Sequence, residues 1–150
     1  MPIVDMVKTN AGSLLFYDLT ASVGRNGMNH RPDVLLVQFL LASTLRNALY
    51  SPGTGSPITP TGVPDQPTID GIVRFQTALH NRNRLFSVVD GRIDPVPGNS
   101  PRAFTGGPQY GIITLNLSFQ FMRPGDLEKL VSLPDCPSEL REVLTLRFVR

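Results

Sequence analysis

Two aspartates lie close together in the segment SVVDGRIDP, residues 87–95, and their carboxylates are the groups in this chain with the clearest capacity for chemistry. Asp90 is followed directly by Gly91, and Asp94 stands four positions after Asp90. Paired carboxylates can bind a metal ion, or they can act as acid and base on a glycosidic bond. Aspartate followed by glycine is also a strong turn signal, because both residues tolerate positive φ angles. The spacing leaves three interpretations, namely a metal loop, a catalytic pair and a turn.

The order of residues in this segment argues against the two chemical interpretations. An EF-hand loop alternates its early oxygen ligands with other residues, places a glycine centrally and ends on a glutamate. Here Gly91 comes directly after Asp90, and no glutamate follows within reach. Two carboxylates in one turn are better placed to bind backbone amides than to face each other across a sugar. We therefore interpret Asp90 and Asp94 as residues that mainly organise the backbone, and we keep Asp90 and Arg92 as candidate ligand contacts.

The rest of the sequence carries no recognisable catalytic or cofactor signature. It has no phosphate-binding glycine loop of the right spacing, no zinc-protease helix and no nucleophile elbow. The single cysteine, Cys136, cannot form an intramolecular disulfide, and neither His30 nor His80 stands in a motif that would activate a thiol. We therefore expect a non-enzymatic protein that needs no metal and no cofactor.

Composition narrows the class of protein and its partners. A chain of 150 residues with 41% hydrophobic side chains suits one domain with an ordinary core. A formal net charge of +2, spread along a chain with few aromatic residues near its arginines, does not favour nucleic-acid binding. No apolar run approaches the ~20 residues that a membrane-spanning helix needs, and the N-terminus has no signal-peptide pattern. We expect a cytoplasmic protein, or one exported without a cleaved signal peptide, as in a secretion-system or phage particle.

Two helices are predicted to position the Asp-Gly segment. The first spans residues 32–50 and is apolar on nearly all sides, so we expect it to be buried and expect Gln38 within it to be hydrogen-bonded. The second spans residues 67–82 and ends shortly before the aspartates. Gly71 in its interior costs about 1 kcal/mol relative to alanine, which indicates close packing at that point.

Less regular elements are predicted around these helices. The N-terminal segment, residues 1–22, is expected to be extended and to form a hairpin, and the C-terminal segment, residues 118–150, is expected to form short helices. Residues 112–122 fit both the alternation of a strand and the stripe of a helix, so periodicity does not decide between them. The proline- and glycine-rich segments 51–67 and 96–110 are predicted to be loops, and whether they contact a partner is left open.

The order of several short motifs resembles that of the peptidoglycan-binding-like domain. In that family a helix with the pattern Asp-Val-x-x-Val-Gln-x-Leu-Leu precedes a second helix ending in Phe-Gln, an Asp-Gly turn and a third helix ending in Leu-Asn. The matching residues here are Asp33, Val34, Val37, Gln38, Leu40 and Leu41, then Phe75 and Gln76, then Asp90 and Gly91, then Leu115 and Asn116. The resemblance implies a mainly α-helical fold with small β elements, whose compact three-helix core spans residues 23–117. It also favours a helix over the ambiguous segment, at least as far as Asn116.

A function follows from the same resemblance. Domains of this family are non-catalytic modules that hold cell-wall enzymes on peptidoglycan, and related modules occur in phage and secretion-system proteins. We therefore predict binding of peptidoglycan or a related cell-wall glycan-peptide, and the candidate contacts are Asn26, Asn29, Gln76, Asp90 and Arg92. The alternative prediction, based on the long loops and the terminal segments, is a structural or adaptor subunit of a larger assembly. In that case the partners are other proteins or further copies of this chain.

Overall fold

A computed structural model of the chain describes residues 2–9, 12–47, 50, 55, 57–82, 88–97 and 110–148. Within these residues the fold is mainly helical with two small antiparallel strand pairs, which confirms the fold class predicted from the sequence. The elements in chain order are β1 (Ile3–Thr9), β2 (Gly12–Asp18), β3 (Val23–Gly24), α1 (Arg31–Thr44), α2 (Gln66–Arg82), β4 (Arg92–Ile93), α3 (Gly111–Met122), a 3-10 helix (Leu127–Ser132) and α4 (Ser138–Phe148). None of the helices described is both long enough and apolar enough to cross a membrane.

Helix α1 lies at the centre of the molecule because its side chains are apolar on nearly every side. It contacts α2, α3, α4 and β3. Every residue from Asp33 to Leu41 is buried. Pro32 occupies the first turn, where its missing N–H removes no helical hydrogen bond. A helix this apolar is stable in water only when its neighbours enclose it, as they do here.

Helix α1 ends at Thr44, earlier than the end at residue 50 expected from the sequence. Leu45 still donates its N–H four residues back, but the N–H groups of Arg46 and Asn47 bond carbonyls only three residues back. This tighter geometry is typical of the last turn of a helix, and asparagine favours turns over helix interiors. The chain therefore leaves the helix axis, and Tyr50 returns to the core.

Helix α2 closely follows the span predicted from the sequence. Asp65 precedes the helix and accepts a hydrogen bond from the N–H of Thr68 at 3.1 Å, which satisfies one of the free N–H groups of the first turn. Gly71 faces the side chains of Ile58 and Leu45, and a Cβ at this position would overlap Ile58 and lie 3.2 Å from the Leu45 Cδ1. The glycine therefore permits the close packing that the sequence indicated.

The segment that fitted both periodicities is a helix, α3. Ile112, Leu115 and Phe119 are fully buried, whereas Leu117 and Phe121 are exposed. A strand would have placed residues 115, 117, 119 and 121 on one face, so this burial pattern follows the helical period. The helix continues past residue 117, and the predicted core boundary at that position therefore lies inside α3.

The two strand pairs bring remote parts of the chain together. Strands β1 and β2 form an antiparallel hairpin in which Thr9 lies opposite Gly12, as expected for the N-terminal segment. Strands β3 and β4 pair Val23 with Ile93. This second pair places the loop before α1 beside the Asp-Gly turn that follows α2.

The segment after α3 folds back on the core in two helical pieces. The first is a 3-10 helix, Leu127–Ser132, which suits so short a stretch, and the second is α4. The guanidinium of Arg123 fixes the start of this segment by donating hydrogen bonds to Asp126 at 2.9 Å and to Asp135 at 2.7 Å. The same group lies 5.2 Å from the centroid of the Phe119 ring, a cation–π distance.

Candidate functional site

The side chain of Gln76 holds the Asp-Gly turn by four hydrogen bonds. Its Nε2 donates to the Asp90 carboxylate at 3.0 Å and to the Arg92 carbonyl at 2.8 Å. Its Oε1 accepts from the backbone N–H of Asp90 at 3.1 Å and of Gly91 at 2.9 Å. A primary amide has two donor hydrogens and one oxygen with two lone pairs, so the hydrogen-bonding capacity of Gln76 is fully used. Gln76 therefore positions the turn and has no free group for a ligand.

Two glycines allow the turn to approach the loop before α1. The carbonyl of Gly91 lies so close to Gly24 that a Cβ on Gly24 would overlap it. Both residues also have positive φ angles, +73° for Gly91 and +110° for Gly24, which L side chains rarely adopt. The Gly91 carbonyl accepts a hydrogen bond from the N–H of Arg25 at 2.9 Å. The small β3–β4 sheet is therefore rigidly joined at this end.

The two candidate asparagines, Asn26 and Asn29, both lie in this loop with positive φ angles of 60° and 55°. The Asn29 side chain accepts a hydrogen bond from the N–H of Gly24 at 2.7 Å, and it donates to the carbonyls of Gly24 at 3.0 Å and Gly27 at 2.9 Å. Asn29 is therefore a turn-forming residue, while Asn26 lies exposed at the loop surface.

Both aspartates of the opening segment lie beside a single arginine. Arg92 donates a hydrogen bond from Nε to the Asp94 carboxylate at 2.8 Å. Its Nη2 lies 3.9 Å from the Asp90 carboxylate. The hydrogen bond to Asp94 raises the pKa of the Arg92 guanidinium above its ordinary value. Asp94 also accepts a hydrogen bond from the Ser22 hydroxyl at 2.5 Å. The Asp90 carboxylate also accepts a hydrogen bond from the backbone N–H of Arg92 at 3.0 Å, as expected of a turn, whereas the bonds described for Asp94 come from side chains.

Two buried polar residues of α1 hold other connecting segments in the same manner. The Asp33 carboxylate accepts hydrogen bonds from the backbone N–H groups of residues 20–21 at 3.3 and 3.2 Å. The Gln38 amide accepts from the N–H of Gly62 at 2.9 Å and donates to the carbonyl of Val63 at 2.8 Å. The hydrogen bonding that the sequence led us to expect for Gln38 is therefore present, and it anchors the end of the long loop before α2.

Asn116 of α3 holds strand β2. Its Oδ1 accepts a hydrogen bond from the N–H of Tyr17 at 2.9 Å, and its Nδ2 donates to the carbonyl of Tyr17 at 2.8 Å. The Asn116 side chain thus replaces a neighbouring strand at this point of the sheet edge. The Tyr17 hydroxyl in turn donates to the carbonyl of Leu127 at 3.1 Å, which connects the hairpin to the C-terminal segment. Sequence reasoning singled out Asn116 as part of a motif but could not identify its partner.

The cysteine and the acidic residues do not gather into a metal-binding set in the part of the chain that the structure describes. Cys136 is buried, and burial raises the pKa of its thiol to about 11, so the thiol is protonated at neutral pH. A protonated thiol is a poor nucleophile and a poor metal ligand. Over the described ranges, no three His, Cys, Asp or Glu side chains converge as a set that could hold a metal ion.

An open pocket on the outer face of α3 is a feature that sequence reasoning missed. Its volume is about 280 Å³, and it is lined by Asn47, Tyr50, Arg82, Thr114, Leu117, Ser118 and Phe121. The signal in the sequence was the ambiguity of residues 112–122, because apolar residues on both faces of a helix also produce a strand-like alternation. One apolar face is used by the core, and the other borders this pocket.

Comparisons with family models, with curated proteins and with solved structures find no match to this chain. A functional conclusion therefore depends on the order of the motifs, on the hydrogen bonds that their residues make and on the surfaces that they leave open. Of the five predicted ligand contacts, Gln76, Asp90 and Arg92 lie together at one turn. Asn29 lies beside them through its bonds to the β3 strand, and Asn26 lies in the same loop.

Proposed function

We propose that this chain is a non-catalytic module that binds peptidoglycan or a related cell-wall glycan-peptide on a peptidoglycan-binding-like framework. One observation carries the proposal. Five polar residues belong to the motifs that resemble this family. Four of them, Asp33, Gln38, Gln76 and Asn116, are buried, and each binds the backbone of another segment of the chain. The shared use of these four motif positions to hold backbone segments supports the proposal.

The surface that suits the ligand is the exposed rim of the β3–β4 sheet. Asn26 and Arg25 are exposed on the loop before α1, and Arg92 and Asp90 are partly exposed on the turn opposite. Arginine binds the carboxylates of a stem peptide in a planar, bidentate manner, and the amide and carboxylate groups suit sugar hydroxyls. Because Gln76 and neighbouring backbone hold the rim in place, little conformational entropy is lost on binding.

A pull-down with purified sacculi tests this proposal. We expect the wild-type protein to sediment with the sacculi at low salt, and we expect the double variant Arg25→Ala/Asn26→Ala to sediment less, because it removes two exposed polar side chains from the rim. Lys129→Ala is the matched control, since it removes one exposed positive charge from the 3-10 helix. Recovery of all wild-type protein in the supernatant would refute the proposal.

A second candidate is a structural or adaptor subunit of a larger assembly. The observation that favours it is the β1–β2 hairpin, which has no third strand within the described residues and leaves the outer edge of β1 without a strand partner. A strand edge without a strand partner can accept a strand from a neighbouring protein. Light scattering on the purified chain tests this role. Masses of a dimer or larger species favour it, and a strict monomer that copurifies with nothing counts against it.

A further inference from the structure

The outer face of α3 is apolar where a solvent-facing helix normally carries charge. Thr114, Leu117, Ser118 and Phe121 follow the spacing i, i+3, i+4, i+7, so they lie on one face of the helix. The Phe121 side chain is 75% exposed and that of Leu117 is 43% exposed. The whole helix, Gly111–Met122, contains no charged residue. Exposed apolar side chains that border a cavity indicate contact with a ligand or partner.

Hydroxyl groups are present beside these apolar side chains. The Tyr50 hydroxyl and the Ser118 Oγ lie 3.1 Å apart and share one hydrogen bond, so one of their two hydrogens is left for a further acceptor. The Thr114 Oγ1 is buried and has no hydrogen-bond partner in the part of the chain that the structure describes. The Tyr50 ring is held against Phe75, with the ring centroids 5.5 Å apart. The pocket therefore presents hydrogen-bonding groups on a wall that the core holds rigid.

The described residues that line the pocket carry a net positive charge. Arg82, the last residue of α2, is the only charged residue among the described residues that line it. Within the described ranges Arg82 forms no ion pair, and its side chain is exposed. A guanidinium in this position favours a planar anion that can accept two parallel hydrogen bonds, which is the geometry of a carboxylate.

The size of the pocket restricts its occupant further. A volume of about 280 Å³ lies at the lower end of the range for ligand pockets, which suits one or two amino-acid residues and not a glycan strand. We infer that the pocket on α3 binds the free carboxyl end of a short peptide with small apolar side chains. The carboxylate lies on Arg82, the last amide lies near Ser118, and the apolar side chains lie against Phe121. We assign the stem peptide of peptidoglycan as the source of this peptide, and this assignment rests on the proposed function.

Two forms of one peptide test the inference by NMR titration of the wild-type protein. The probes are N-acetyl-lysyl-D-alanyl-D-alanine with a free carboxylate and the same peptide as its C-terminal carboxamide. We expect the free acid to shift the amide signals of Thr114, Leu117, Ser118 and Phe121, and we expect the carboxamide to bind at least about tenfold more weakly, because hydrogen bonds to a charged group are the stronger ones. Absence of these shifts at millimolar peptide, or equal binding of both forms, would overturn the inference.

Variants separate this pocket from the rim of the β3–β4 sheet. Arg82→Gln and Phe121→Ala are each expected to weaken binding of the free acid about tenfold, whereas Arg141→Gln on α4 leaves it unchanged. Arg82 and Phe121 are both exposed, so we expect both variants to fold. Amide signals outside the pocket that match those of the wild type show that they do. Equal binding of the all-L peptide would overturn the stem-peptide assignment. If the wild-type protein sediments with sacculi but the peptide causes no shifts, only this inference fails; if the protein does not sediment, the proposed function fails.

Discussion

Three primary amides, one on each of α1, α2 and α3, hold backbone segments of this protein in place. Gln38, Gln76 and Asn116 each donate to a carbonyl and accept from an N–H of another segment. A primary amide combines two donor hydrogens and an acceptor oxygen in one neutral side chain, and a neutral side chain avoids the large cost of burying a charge. A carboxylate at any of these positions would lose the donor and leave a carbonyl without its partner.

The Gln76→Ala variant tests this role at the level of one residue. It leaves two backbone N–H groups and one carbonyl at the turn without their partners, so we expect the free energy of unfolding to fall by roughly 1–3 kcal/mol. Urea denaturation followed by circular dichroism measures the loss. Gln66→Ala is the matched control, because Gln66 lies on the same helix and bonds only the exposed side chain of Asp70. Equal losses in both variants would contradict the assigned role of Gln76.

Helices α1 and α2 could be predicted from their apolar periodicity, whereas the identity of α3 could not. The sequence of α3 carries apolar residues on the core face and on the outer face, so two periods fit it equally. The end of α1 was also misplaced, because the apolar pattern continues after Thr44 into a turn. Periodicity reports which side chains avoid water, and it cannot distinguish a core from a binding surface.

Packing between elements tests the interpretation of Gly71. The Cδ1 of Ile58 occupies the space that an added Cβ would need, and Ile58→Val removes only this methyl group. We expect Gly71→Ala to be more favourable in the Ile58→Val background than in the wild type, by up to about 1 kcal/mol, because the helix propensity of alanine is then gained without overlap. A double-mutant cycle by urea denaturation measures this coupling. Thr77→Ala, at an exposed position of α2, should show no coupling to Ile58→Val.

Some features of the candidate site could be predicted from the sequence, and others could not. The Asp-Gly turn and the turn-forming asparagine Asn29 follow from local preferences, and the structure places both in turns. The partner of Asn116 did not follow, because it lies 99 positions away in the chain and carries no local signal. The pocket beside Phe121 did not follow for a related reason, since its described lining comes from three separate parts of the chain.

At the scale of the whole molecule, Arg123 connects three parts of the fold. Its guanidinium contacts the Phe39 ring of α1 at 5.7 Å and the Phe119 ring of α3 at 5.2 Å. It also binds Asp126 and Asp135 in the C-terminal segment. The packing of that segment on the helical core therefore depends in part on one cation and its two carboxylate partners.

The Arg123–Asp135 pair predicts a loss of stability at low pH. The hydrogen bond from Arg123 lowers the pKa of Asp135 in the folded state. A lowered pKa gives stabilisation that is complete above the unfolded value of about 3.9 and is lost as the pH falls through the folded value. Because the Asp135 side chain is 54% exposed, the effect should stay below about 1 kcal/mol.

Thermal unfolding at about pH 5 and about pH 3 measures this effect. We expect the wild type to lose more stability between these values than Asp135→Asn, which has no carboxylate at this position to protonate. Glu128→Gln, at an exposed position of the 3-10 helix, is the control and should behave as the wild type does. An identical pH response of Asp135→Asn and the wild type would show that the pair does not contribute.

The bonds between Tyr17 and Asn116 join residues that are 99 positions apart in the chain. A ribosome releases the N-terminal hairpin long before it has made α3, so the edge of β2 has no Asn116 to cover it during most of synthesis. Until then the N–H and carbonyl of Tyr17 can bind a strand of another nascent chain or a chaperone. The hairpin is thus made before the helix that secures it, and its maturation depends on the completion of the third helix.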